Sequence, residues 1–162
     1  MITPSKSPRL LFWPIACLTV SFIAWIGLAA PLNAASEINT GYFGNVAIKG
    51  YDPVAYFTEG KAMAGSEDHV FKWLSAEWRF TSDAHKQTFA DNPIKYAPQY
   101  GGFCAIGASS NDLTNDIDPE AWAIIDGKLY LNYSKAVGKL LKRKRIAKAD
   151  ANWKELRIRA AQ

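Results

Sequence analysis

Residues that carry chemistry are scarce in this chain. Its 162 residues include two cysteines and two histidines. Cys17 lies inside an N-terminal apolar run, so removal of that run leaves Cys104 as the only thiol. No intramolecular disulfide can then form, which excludes a disulfide-stapled exported module and leaves burial to supply stability. The sequence has no nucleophile motif, no phosphate-binding glycine loop, no full zinc-ligand spacing and no carboxylate pair set for acid–base work. Catalysis therefore has no positive support. Internal repeats and low-complexity segments are also absent.

What is present suits one folded domain. Apolar residues make up 49% and aromatics 13%, enough for a real core, and the formal charge of +4 is mild. The N-terminus differs from the rest. Lys6 and Arg9 precede a 23-residue uncharged, mostly apolar run from Leu10 to Leu32, followed by small residues at Ala34 and Ala35. This pattern is that of a secretory signal, although the run exceeds the roughly 7–15 residues of an ordinary signal core. It is long enough to span a bilayer, so a retained anchor is the alternative. Either way, residues 1–35 form a leader or anchor and residues 36–162 a domain outside the cytoplasm, periplasmic or secreted. Lipidation at Cys17 is disfavoured by Pro14 and by the apolar run continuing past it.

Several local signals predict elements. Val46 and Ile48 alternate as in a strand, Asp52-Pro53 marks a turn, and Val54–Phe57 reads as extended. His69–Ser82 reads as a hairpin turning at Ser75–Glu77. Ser82 is a helix N-cap with Asp83 in the first turn, and Pro93 opens a second short helix through Tyr96. Tyr100–Gly107 reads as a strand and Ala108–Glu120 as a polar loop. Asp126-Gly127 between two apolar runs is the pair expected for a type I′ hairpin turn. Ser134 caps a C-terminal helix whose stripe is Leu140, Leu141, Ile146, Trp153 and Leu156, with a break near Lys148–Asp150.

The stretch "WRFTSDAHKQTFADNPIKYAPQYGGFCA" has a strand ending in an aromatic residue, a serine, a short helix with a phenylalanine, then "NP..Y". With "GYDPVAYF" before it and "DPEAWAIIDGKLYLNY" after it, the chain resembles secreted bacterial members of the YHS-domain family over roughly Asn45 to Trp153. The resemblance implies a small α+β domain. In metal-linked YHS modules, cysteines occupy positions that match about Thr81 and His85 here. Thr81 is no thiolate, so a four-thiolate zinc or copper site does not carry over.

Cys104 admits three readings: a small buried core residue, a thiolate ligand, or a redox or nucleophilic thiol. On an extended strand it would share a face with Tyr100, Gly102 and Ile106. His85 joins Cys104 as the other candidate ligand, because copper in its reduced state accepts thiolate plus imidazole, with zinc as the alternative metal. A capping or surface histidine is the plain alternative. His69 reads as a loop residue. Tyr51, Tyr96 and Tyr100, with Asp52 and Tyr56 near them, either line a pocket or belong to an ordinary core. The basic segment from Lys139 to Lys154 suits anionic lipid or an acidic protein partner, or is a solvated face. Export argues against nucleic acid.

The expectation is an exported, single-domain α+β protein with antiparallel hairpins, short helices and a C-terminal helix. Its expected role is a non-enzymatic binding module for a transition metal through Cys104 and His85. The alternative is a structural or interaction module, contacting protein or membrane, with Cys104 buried.

Overall fold

The computed structural model describes residues 37–42 and 44–162, so the leader or anchor expected over residues 1–35 lies outside the described residues. Residues Asn33–Gln162 form one compact unit. The expected α+β class holds: among the described residues there are two two-stranded antiparallel sheets and six helices, the longest at the C-terminus.

The first hairpin pairs β1 (Ser66–Trp73) with β2 (Ala76–Phe80). Its turn is Leu74-Ser75, both at positive φ, one residue earlier than the sequence suggested. The alternation along β2 buries Ala76, Trp78 and Phe80. The second hairpin, β3 (Asp118–Ile125) and β4 (Lys128–Asn132), turns at Asp126-Gly127 with φ of 53° and 72°, as that dipeptide dictates.

The short helices are α1 (Ala55–Thr58), α2 (Asp83–Asp91), α3 (Pro93–Tyr96), α4 (Ala105–Ser109) and α5 (Lys135–Gly138), followed by α6 (Arg143–Ala160). The expected caps at Ser82 and Ser134 and the expected Pro93 start are present, and Asn92 adds a third cap. Ser82 accepts from the His85 N–H, Asn92 from the Lys95 N–H with Pro93 at the first position of α3, and Ser134 from the Val137 N–H. Phe89 of α2 is fully buried and binds the first hairpin to the helix, its ring 5.0 Å from Trp78, 5.2 Å from Phe80 and 5.8 Å from Trp73.

Four expectations are corrected. Val54–Phe57 leads into helix rather than strand, because the Asp52 carboxylate accepts from the Val54 and Ala55 N–H groups and starts a turn that Pro53 tolerates. Val46 makes only an isolated bridge to Glu77, and Ala47–Gly50 is a tight turn with Ile48 and Lys49 at positive φ. Tyr100–Gly107 is not a strand. Gln99–Gly102 is a tight turn with Tyr100, Gly101 and Gly102 all left-handed, Cys104 bridges once to Leu131, and α4 follows. The C-terminal helix breaks between α5 and α6 at residues 139–142, not near Lys148–Asp150. Ala149 is core and Asp150 receives the Tyr100 hydroxyl, so both hold α6 together there.

Two clusters make the core. One joins Ile48, Val54, Tyr56, Trp78, Phe80, Phe89, Cys104, Leu129 and Leu131. The other packs Tyr100, Ala105, Ala108 and Tyr130 against Leu141, Ala149 and Leu156. Leu141, Ile146, Trp153 and Leu156 serve the expected stripe, whereas Leu140 is 55% exposed.

Candidate functional site

The densest polar arrangement in the described residues is centred on Asp52. Its side chain is fully buried, and its two oxygens receive five donors. Oδ1 accepts from Val54 N (2.9 Å) and Ala55 N (3.3 Å). Oδ2 accepts from Thr81 N (2.9 Å) and Thr81 Oγ1 (2.8 Å), and lies 2.7 Å from His85 Nδ1. Buried carboxylates persist only when paired or hydrogen-bonded in this way. Three chain segments supply the partners: the Asp52-Pro53 turn, the end of β2 and the first turn of α2.

The carboxylate is the acceptor, so His85 Nδ1 is the donor. In the neutral ring Nε2 then carries the lone pair. Nε2 lies 3.4 Å from Thr58 Oγ1, whose own hydroxyl donates to the Val54 carbonyl. Carboxylate–imidazole pairs orient histidines in metal centres and in general bases. Here the two nearby hydroxyls are both committed, Thr81 to Asp52 and Thr58 to the Val54 carbonyl.

Thr81 and His85 are side by side, with Thr81 Oγ1 3.1 Å from His85 Nδ1. Both face Asp52. Asp52, Thr81 and His85 Nδ1 are hydrogen-bonded to one another, and His85 Nε2, beside Thr58 Oγ1, is the ring nitrogen not turned to the carboxylate.

Cys104 belongs to a different network. It is 2% exposed, inside the first core cluster. It caps α4, and its Sγ accepts from Gly107 N (3.5 Å) and Tyr133 N (3.4 Å). Its own N–H donates to the Thr114 carbonyl. The hydrogen-bond partners of Cys104 and His85 do not overlap.

The tyrosines also diverge. Tyr100 is buried against Tyr130 and Trp153, and its hydroxyl donates to Asp150 Oδ1 at 2.8 Å. Burial first, and Asp150 second, push its phenol well above the usual tyrosine range. Tyr96 meets Phe57 edge-on, with its hydroxyl accepting from Lys95 Nζ. Tyr51 packs on the first cluster and bridges to Ala64. Tyr56, fully buried, donates to the Pro119 carbonyl. Of these tyrosines, Tyr100 also borders a cleft of about 180 Å³ shared with Trp73, Ile94 and Trp153.

His69 lies in β1, not a loop, 3.2 Å from Asp83. The Lys86 ammonium, and then His69, hold Asp83 below the usual carboxylate range. The stabilisation this pairing gives is present above the ordinary carboxylate pKa, near 4, and is lost as pH falls through the lowered value.

The part sequence reasoning missed is the role of Asp52. "DP" read as a turn, and it is one. The remaining signal was indirect: an acid between Tyr51 and Pro53, just before the apolar Val54–Phe57, has to find donors when buried, and one of the chain's two histidines supplies one.

No family model, no curated protein and no solved structure matches this chain.

Proposed function

We propose that this chain is an exported, non-catalytic module of the YHS type that works by surface contact, with its thiol and its histidine–aspartate pair used internally by the fold. The observation that carries this reading is the state of Cys104: a buried core side chain whose sulfur takes two backbone N–H groups. Such a thiol caps a helix and fills space. The Asp52–Thr81–His85 network supports the same reading, because the Thr81 N–H, the Thr81 hydroxyl and His85 Nδ1 all donate to the buried carboxylate. The YHS assignment rests on the motifs from "GYDPVAYF" to "DGKLYLNY", and the export assignment on the N-terminal sequence. Contact surfaces are available: Ile94 is 81% exposed and Leu74 48%, and both border an apolar cleft of about 180 Å³ with Trp73 and Trp153.

Both core clusters lie within residues 33–162, so this unit carries its own core. Titrating it with Cu(I), Cu(II) and Zn(II) under chelator-free conditions tests the proposal. We expect Cys104→Ala to leave metal binding unchanged from the parent. Stoichiometric binding that disappears in both Cys104→Ala and His85→Ala would instead make the protein a metal carrier.

A further inference from the structure

The charge of this domain is split along the chain. Residues 37–138 carry eight lysines and arginines against thirteen acids, whereas residues 139–162 carry nine against two. The structure concentrates much of that excess at the corner where α5 ends and α6 begins. A concavity of about 490 Å³ there is lined by Leu140, Lys142, Lys144, Arg145 and Lys148, with no acid among them.

Neutralisation inside the fold is slight. Arg143 makes a bidentate pair with Asp126, at 2.7 and 2.8 Å, and Arg145 reaches only the Ser109 hydroxyl. Lys142, Lys144 and Lys148 form no ion pair among the described residues. The helix itself does not favour this arrangement. Lys142, at the N-cap of α6, makes no side-chain cap bond, and Arg143, Lys144 and Arg145 fill the first turn. Cations there oppose the helix dipole. The sequence therefore retains like charges that repel one another and oppose the helix start. Leu140 stands among them, 55% exposed, in the one stretch where the helix is interrupted.

An apolar tip ringed by uncompensated cations is the composition of a surface that rests on anionic phospholipid headgroups. The cations meet lipid phosphates and the apolar side chain enters the acyl boundary. We propose that the α5–α6 corner docks this domain on an anionic lipid surface, with Lys142, Lys144 and Lys148 on headgroup phosphates and Leu140 inserted. This rests on the contact-module reading above and names its partner.

Co-sedimentation of residues 33–162 with vesicles tests it, comparing pure phosphatidylcholine with phosphatidylcholine containing about a quarter phosphatidylglycerol. The parent should bind the anionic vesicles and not the neutral ones, and lose binding in high salt. Each lysine near the surface contributes about fivefold. Reversing three of them (Lys142→Glu, Lys144→Glu, Lys148→Glu) should then reduce binding by about a hundredfold or more. Leu140→Asp should reduce it with the lysines intact. Reversal of Lys61 and Lys128, elsewhere on the surface, should leave it near parental. Thermal unfolding of each variant separates lost binding from lost folding, since all of these side chains are exposed.

Equal binding to neutral vesicles, or parental binding by a folded triple variant, would overturn the proposal. Competition by inorganic phosphate at concentrations too low to screen charge would reassign the corner to a small anion. Absence of vesicle binding by the parent would leave an acidic protein as the occupant and refute the lipid. In those cases the contact-module reading stands so long as Cys104 is inert in the native fold. A reactive native thiol would refute that reading whatever the vesicles show.

Discussion

Asp52→Ala should destabilise the domain by about 4 kcal/mol, since buried donors left without an acceptor cost about 1–3 kcal/mol each. The Thr81 N–H and hydroxyl, the Val54 and Ala55 N–H groups and His85 Nδ1 all lose the oxygen they point at. Asp52→Asn should recover part of the loss, because one oxygen remains while the new amide faces other donors. His85→Ala should cost far less, about 1 kcal/mol, because its side chain is 18% exposed and water can replace it at the carboxylate. Urea unfolding of the three variants checks the order. A large loss in His85→Ala beside a small one in Asp52→Ala would show that the histidine, not the carboxylate, is the centre of this network.

The second large effect belongs to the "YGG" turn. A Cβ on Gly101 would lie 1.9 Å from the Glu37 carbonyl oxygen, and the residue has φ of +61°. Gly101→Ala should therefore cost about 3 kcal/mol or more, combining left-handed strain with displacement of the backbone that crosses it. Gly60 provides the comparison. Its φ is +63° and a Cβ there would meet nothing within 4 Å. Gly60→Ala should cost only the conformational part, about 1–2 kcal/mol. Equal melting-temperature losses in the two variants would mean that segment 37–39 does not pack on this turn as described.

Those two sites also show what the sequence could and could not convey. The hairpin at Asp126-Gly127, the caps at Ser82 and Ser134, and Pro93 at the start of α3 depend on a few neighbouring residues, so they were legible. The left-handed run at Tyr100–Gly102 depends on distant backbone. Asn39 donates its backbone N–H to the Gly101 carbonyl and its side-chain amide to the carbonyls of Gly102 and Asn115. Two glycines before an aromatic residue signal a close approach, but not what approaches. The same holds for α1, whose start is fixed by a carboxylate that also reaches Thr81 and His85, 29 and 33 residues away. His85 was legible as a notable residue because histidine is rare here. Its partner was not, because an acid before proline is already accounted for as a turn. Cys104 was legible as a rare residue with a buried reading beside the chemical one; that its sulfur caps α4 was not, because the cap depends on a chain path read as a strand.

The basic segment was legible as charge, and its geometry was not. In one unbroken helix Leu140, Lys144 and Lys148, spaced four apart, would share a face and Lys142 would lie on the opposite side. The interruption at 139–142 instead sets an exposed leucine beside Lys142, Lys144 and Lys148 around one concavity.

The most direct test of the central claim, that the thiol serves the fold rather than chemistry, is the rate at which Cys104 reacts with a thiol reagent across a denaturant series. A buried structural cysteine should be unreactive in the native domain, with labelling rising in step with global unfolding. Rapid stoichiometric labelling of the native protein without denaturant would contradict that claim and make Cys104 an accessible, reactive group.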